Sequence, residues 1–231
     1  MTATTSIATR AAEVRHRIEA ACARSGRSAD EVTLVAVSKT HPIEAVEEAV
    51  TAGLRVFGEN RAQEFVPKAL AARERGLAAE WHFIGHLQRN KVRDALPYID
   101  VLHSLDSERL VREIATRAAE ARPGHRRLRC FLEVNVAGEA QKEGIAPSDV
   151  GPFLAAARSV EILDVRGLMT VAPRVKDPEE VRPVFRALHE LAAEHGLSEL
   201  SMGMTDDFEV AIEEGATVVR VGRAIFGDRL A

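Results

Sequence analysis

The chain has only two cysteines and five lysines in 231 residues, and it has no long apolar run. Cys22 and Cys130 form neither a disulfide framework nor a metal-type spacing, so two free, buried thiols in a reducing compartment are expected. No stretch approaches the roughly 20 apolar residues of a membrane span. The N-terminus also lacks the apolar core of a secretory signal. A cytoplasmic protein is the expectation. A basic excess is missing too: 31 Lys and Arg stand against 35 Asp and Glu, for a net charge of −4. That balance argues against a nucleic-acid binder and against a polybasic membrane-surface protein. What remains is ordinary globular composition, 46% hydrophobic and 29% charged. The length suits one large domain or two small ones, and barrels commonly fill this range as one domain.

The apolar pattern opens with Ile7, Ala11, Val14, Ile18 and Ala21, one face of a helix over about 6–25 that ends near Ser25-Gly26. Beyond it, short β-rich runs alternate with helical stretches. The expected strands are Thr33 to Val37, Arg55 to Phe57, Trp81 to Ile84, Val101 to Leu105, Cys130 to Val136, Val165 to Val171, Leu200 to Met204 and Val218 to Val221. Helices are expected from Pro42, after Asn60, over Gln88 to Leu96, from Asp106-Ser107, from Pro147, over Pro178 to His195 and near Asp206. Eight βα units in about 200 residues fit a closed (β/α)8 TIM-type barrel better than a doubly wound open sheet. The expected organisation is α/β, one domain over 1–231 with an extra N-terminal helix.

In such a barrel the chemistry gathers where strands end and βα loops begin. Those positions carry Lys39, Asn60, His86, Asp106, Asn135, Met169-Thr170, Ser201 to Met204 and Gly222-Arg223. Lys39 follows an apolar strand, where partial desolvation lowers an amine's pKa and readies it for condensation with an aldehyde. A solvated strand-end lysine is the plain alternative. Lys68, Lys91, Lys142 and Lys176 sit in polar surroundings and read as surface residues. Ser201-Met202-Gly203-Met204 and Val221-Gly222-Arg223 place small residues at the last two strand ends, a common barrel position for phosphate. Arg220 lies within the final strand, where an isolated charge needs a partner: a ligand ring reached from the barrel interior, or a structural ion pair. His82 and His86 have i, i+4 spacing, but the segment reads as strand, so no metal site is expected. Met202 and Met204 read as packing groups, with Met202 placed to touch a bound ring.

Taken together, Leu34 to Lys39, Phe57-Gly58-Glu59-Asn60 with Gln63-Glu64, Trp81 to Lys91, Gly167 to Thr170, Leu200 to Met204 and Val219 to Gly227 resemble the pyridoxal 5′-phosphate homeostasis protein family. These are single-domain relatives of the fold-type III alanine racemases, and the likeness runs from Val32 to Gly227. It implies that Lys39 carries pyridoxal 5′-phosphate as an internal aldimine. It also implies a phosphate site near Ser201, Gly222 and the Arg223 backbone, Arg220 at the pyridine nitrogen, and Asn60 and Met202 lining the site. Arg223 departs from the small hydroxyl residue many relatives carry, which leaves a side-chain bond to phosphate open.

A cation at the ring nitrogen disfavours its protonation and weakens the cofactor as an electron sink. The related racemases take their second acid/base group from a C-terminal β-domain and a partner subunit, whereas this sequence ends four residues after Gly227. Tyr98 and Cys130 precede strands 4 and 5 and belong at the opposite pole, so no second base is apparent. The resemblance thus favours a monomeric carrier that buffers pyridoxal phosphate or delivers it to recipient apoenzymes, without robust turnover. A weak amino-acid racemase is the alternative. A cofactor-free barrel enzyme that binds a sugar phosphate through Lys39 is the third reading.

Overall fold

The computed structural model describes residues 6–122, 127–139 and 141–227. Eight parallel strands close into a barrel in sequence order. They are β1 (Thr33–Val37), β2 (Val56–Glu59), β3 (Glu80–Phe83), β4 (Val101–Leu105), β5 (Leu128–Glu133), β6 (Leu163–Met169), β7 (Glu199–Met204) and β8 (Val218–Val221). The first and last strands pair from Thr33↔Val218 to Ala36↔Val221, which closes the ring. The surrounding helices are α1 (Ile7–Arg24), α2 (Ile43–Thr51), α3 (Ala62–Glu74), α4 (Val92–Ala95), α5 (Glu108–Ala121), α6 (Val150–Arg158), α7 (Arg182–Glu194), α8 (Phe208–Glu213) and α9 (Arg223–Phe226). No described helix is long and apolar enough to cross a membrane.

Strand alternation divides the core in two. Ala36, Phe57, Phe83, Leu102, Leu132, Leu168, Leu200 and Val219 face the helices and join one large core. Val35, Val37, Val101, Phe131, Met169 and Val218 form a smaller cluster inside the barrel. Each fully buried Leu or Phe side chain contributes about 1.5–3 kcal/mol by leaving water. The interior is not wholly apolar, because His82, His103, Ser201 and Arg220 are also buried there.

Helix α1 buries Ile7, Ala11, Val14, Ile18 and Ala21, with Ser6 capping its first turn by accepting from the Thr9 N–H. It packs across the helices of the last two βα units. Arg17 pairs with Glu209 at 3.0 Å and lies over the Phe208 ring, and Arg10 Nε donates to the Ile225 carbonyl at 2.6 Å.

Several sequence-based boundaries shift. β5 and β6 begin and end two or more residues earlier than expected, because Val134, Val136 and Val171 belong to loop structure above the strands. Val134 pairs there with Ile145. Cys130 consequently lies within β5, not before it, and is buried against the helices. β2 continues through Gly58 and Glu59. The expected helix over Gln88 to Leu96 is split into short 3-10 turns around the single turn of α4, with Pro97 in the last of them. Tyr98 ends that segment under Arg73, whose guanidinium lies 5.6 Å from the ring centre.

Candidate functional site

Lys39 lies two residues beyond β1, after Ser38, at the pole where the strands end, and is half-buried. The backbone around it is fastened from several sides. Ser38 N–H donates to the Gly58 carbonyl at 3.1 Å, and Thr40 N–H donates to Glu64 Oε2 at 2.9 Å. Thr40 adopts φ 66°, a costly conformation for a β-branched residue. Beneath the loop, Lys68 Nζ donates to the Ser38 carbonyl at 2.9 Å and forms a short ion pair with Glu59. Ser38 Oγ donates to the same Glu59 oxygen at 2.7 Å. Glu59 Oε2 is buried without a hydrogen-bond partner among the described residues. Burial raises the Glu59 pKa, and Lys68 opposes that rise.

Lys68 therefore corrects one sequence expectation: it is buried, not a surface residue. Phe65, Lys68, Ala69 and Ala72 share the buried face of α3, so the lysine stands on the apolar stripe of its helix. Lys142 differs as well. It is half-buried and ties its loop to the Val171 carbonyl at 3.1 Å. Lys91 is half-buried and Lys176 exposed.

Arg220 projects from β8 into the barrel. Its Nη1 donates to Ser201 Oγ at 2.6 Å and its Nη2 to the Thr170 carbonyl at 2.9 Å. Among the described residues no carboxylate lies within ion-pair distance, so a structural salt bridge does not account for it. Burial lowers the Arg220 pKa to about 10, with Glu133 and Asp207 opposing, so it stays charged at neutral pH. Ser201 shares this interior position, whereas Met202 packs on the helix-facing side of β7. The hydroxyl of Ser201 is engaged by Arg220 and His103.

Gly222 directly follows β8, beside the β1 terminus. A Cβ there would lie 3.1 Å from the Val37 carbonyl oxygen, so a bare backbone is what lets the two strand ends approach. The Ile225 and Phe226 N–H groups return to the Gly222 carbonyl, leaving the first amides of α9 outside its own ladder. Arg223 is exposed and paired with Asp206. His41 stacks on Phe226 at 5.3 Å, joining the Lys39 loop to α9.

Asn60 follows β2, half-buried. A side chain at Gly85 would meet the Asn60 carbonyl oxygen at 2.3 Å, so these two loop starts touch through backbone. Asn60, Gln63, His86 and Lys91 line an open cleft of about 590 Å³ beside the barrel mouth. His86 Nδ1 contacts Asp106 at 3.0 Å, while His82 points into the interior toward His103, so the two histidines do not converge. The side chains of His86, Asp106 and Glu143 lie together at the mouth, with ligand-type atoms within 4.8 Å of one another.

The structure thus gathers Lys39, Asn60, Gly222 and Arg223 at the ends of their strands and joins Ser201 to Arg220 below, while Met202 is set apart. Sequence reasoning missed Glu59, Lys68, His103 and Glu133. Glu133 ends β5, and burial, with the Asp106 carboxylate adding, raises its pKa to about 7 against the pull of Arg220. A raised folded-state pKa gives stability that is fully present below about pH 4.5 and lost as pH rises through about 7. The two values imply a loss of about 3 kcal/mol across that window. Urea unfolding should show that Glu133→Gln flattens this decline relative to the parent. Parallel pH profiles for the two proteins would refute the assignment.

The alanine racemase N-terminal domain family model matches residues 10–230. A curated pyridoxal phosphate homeostasis protein from Aquifex aeolicus is 44% identical over 226 residues, 95% of this chain and 97% of the relative. One from Escherichia coli K12 is 42% identical over 230 residues, 96% of this chain and 97% of the relative. Among solved structures, PipY of Synechococcus elongatus PCC7942 with pyridoxal phosphate bound superposes with TM-score 0.81 at 35% identity, over 96% of this chain and 100% of PipY. An alanine racemase from Corynebacterium glutamicum shares the fold, with TM-score 0.66 at 17% identity, over 94% of this chain and 61% of the racemase. The chain belongs to the pyridoxal phosphate homeostasis protein family, built on the alanine racemase N-terminal barrel.

Proposed function

We propose that this protein binds pyridoxal 5′-phosphate for intracellular cofactor homeostasis, holding it covalently as a Schiff base on Lys39. The observation that carries this reading is one amine on a fastened loop at the strand ends, with a buried guanidinium beneath the same barrel mouth. The residues fit the cofactor's parts. When bound, it supplies an aldehyde that condenses with an amine and releases water. Arg220 is a buried donor with no carboxylate partner among the described residues, suited to an acceptor ring nitrogen. The bare backbone at Gly222, with the first amides of α9, suits a phosphate, and Asn60 borders the mouth. The Arg223 guanidinium adds positive charge nearby, although Asp206 engages it.

The chain's own groups favour holding over turnover. Arg220 remains charged and donates, which keeps a facing ring nitrogen unprotonated. Release to recipient apoenzymes then requires only reversal at Lys39. The buried thiols Cys22 and Cys130 suit a reducing cytoplasm, and a monomer suffices for the site as built.

Titrating the apoprotein with pyridoxal phosphate should generate a new absorbance band that saturates at one equivalent. No band at any concentration would overturn the proposal and favour a cofactor-free barrel enzyme. A weak racemase is the second reading, favoured by Glu133, an interior carboxyl poised near neutrality. Catalytic exchange of the α-hydrogen of both amino-acid enantiomers, abolished by Glu133→Gln, would favour it over the carrier.

A further inference from the structure

A column of polar side chains runs through the barrel from Glu80, the first residue of β3, to Arg220. Arg220 Nη1 donates to Ser201 Oγ at 2.6 Å, and Ser201 Oγ contacts His103 Nδ1 at 2.8 Å. His103 Nε2 lies 2.9 Å from His82 Nδ1, and His82 Nε2 lies 3.1 Å from Glu80 Oε1. At the far pole Arg129 from β5 pairs with the same Glu80 oxygen. His103 and Ser201 are 0% exposed, and His82 and Arg220 4%. Phe131 closes one side of His103, with ring centres 4.7 Å apart.

Both ends of this column are chemically one-sided. A guanidinium only donates, and an ionised carboxylate only accepts. Glu80 is ionised: its bond from His82 foremost, with Arg129 assisting, holds its pKa down at about 2. Among the described residues the acceptor in reach of the Ser201 hydroxyl proton is His103 Nδ1. His103 must then carry its single proton on Nε2 and give it to His82 Nδ1. His82 must in turn carry its proton on Nε2 and give it to Glu80. Every hydrogen bond points away from Arg220. Burial foremost, with the nearby Arg220 adding, keeps His103 far below its ordinary pKa, consistent with a neutral ring.

We propose that this one-way column fixes a single tautomer in His82 and His103 and positions the Arg220 guanidinium for the cofactor ring, making Ser201, His103 and His82 positioning residues. The inference rests on the proposed cofactor reading and deepens it. Ser201 and the Thr170 carbonyl occupy two of the N–H donors of Arg220 and fix the plane of its fork. The remaining donors are then presented in one orientation. Because Ser201, His103 and His82 each already have a donor and an acceptor role filled, Arg220 cannot turn without breaking a buried hydrogen bond.

Long-range 15N–1H spectra of 15N-histidine-labelled apoprotein at neutral pH test the column without any cofactor. Signals assigned through His103→Gln should show both His82 and His103 neutral with the proton on Nε2. An Nδ1–H tautomer or an imidazolium at either position overturns the column. In the reconstituted protein, His103→Leu cuts the relay, whereas the amide of His103→Gln can accept from Ser201 and donate to His82. His103→Leu should weaken pyridoxal phosphate binding about tenfold or more and shift the absorbance band, while His103→Gln stays within about threefold. Equal losses in both variants, or no loss in either, contradict positioning. If the parent protein itself binds no pyridoxal phosphate, the functional proposal fails, and the apoprotein spectra still decide the column.

Discussion

Lys68→Met is expected to lower the free energy of unfolding by about 3–5 kcal/mol, the usual cost of leaving a buried charge without its partner. Glu59 is 0% exposed, and its two described partners are Lys68 and Ser38. Methionine fills much of the lysine volume, so the loss is electrostatic more than steric. The same change removes the donor to the Ser38 carbonyl, directly before Lys39, and leaves the strained Thr40 turn with fewer restraints. Cofactor affinity should therefore fall with stability. The double variant Lys68→Met/Glu59→Gln removes both charges and should recover much of the lost stability, because a neutral buried amide needs no counter-ion. Urea denaturation of the four proteins in this cycle is the check. A single-variant loss below about 1 kcal/mol would mean that the pair is solvated and does not brace the loop.

Lys39→Ala should have the opposite profile. The side chain is half-buried at a loop, so unfolding free energy should change by no more than about 1 kcal/mol. The absorbance band formed with pyridoxal phosphate should disappear, because no other described lysine stands within two residues of a strand end: Lys68 lies on α3 against Glu59, Lys91 lines the side cleft with Asn60, and Lys142 sits in the loop that it ties to Val171. Weak noncovalent binding through Arg220 and the Gly222 backbone should survive. A variant that unfolds, or that keeps the full band, would contradict the assignment.

The barrel was legible because its signal is repeated eight times. Continuous apolar runs such as Leu34 to Val37 mark strands covered on both faces, and βα spacing leaves few topologies. Strand ends were less legible. Val134, Val136 and Val171 have strand-forming side chains but lie above β5 and β6, where loop hydrogen bonds replace the ladder. Single residues at strand ends were read from position alone, and Lys39, Asn60 and Gly222 do lie just beyond the ends of β1, β2 and β8. Position alone does not separate Ser201 from Met202, because alternation sends Ser201 inward and its neighbour toward the helices, and the two are not distinguished until the register is known.

The buried polar groups were harder still, since each makes sense only beside a partner far along the chain. Ser201 and His103 are 98 positions apart. Yet two signs were present in the sequence. Glu59 is an acid at the end of an apolar strand, and Lys68 falls on the stripe set by Phe65, Ala69 and Ala72. Two isolated opposite charges on adjacent buried faces imply each other.

Borohydride reduction of the protein loaded with pyridoxal phosphate, followed by peptide mapping, tests the central claim most directly. The account predicts one pyridoxyl-modified peptide, with the adduct on Lys39. An adduct on Lys68, Lys91, Lys142 or Lys176 in place of Lys39, or no adduct at all, would contradict it.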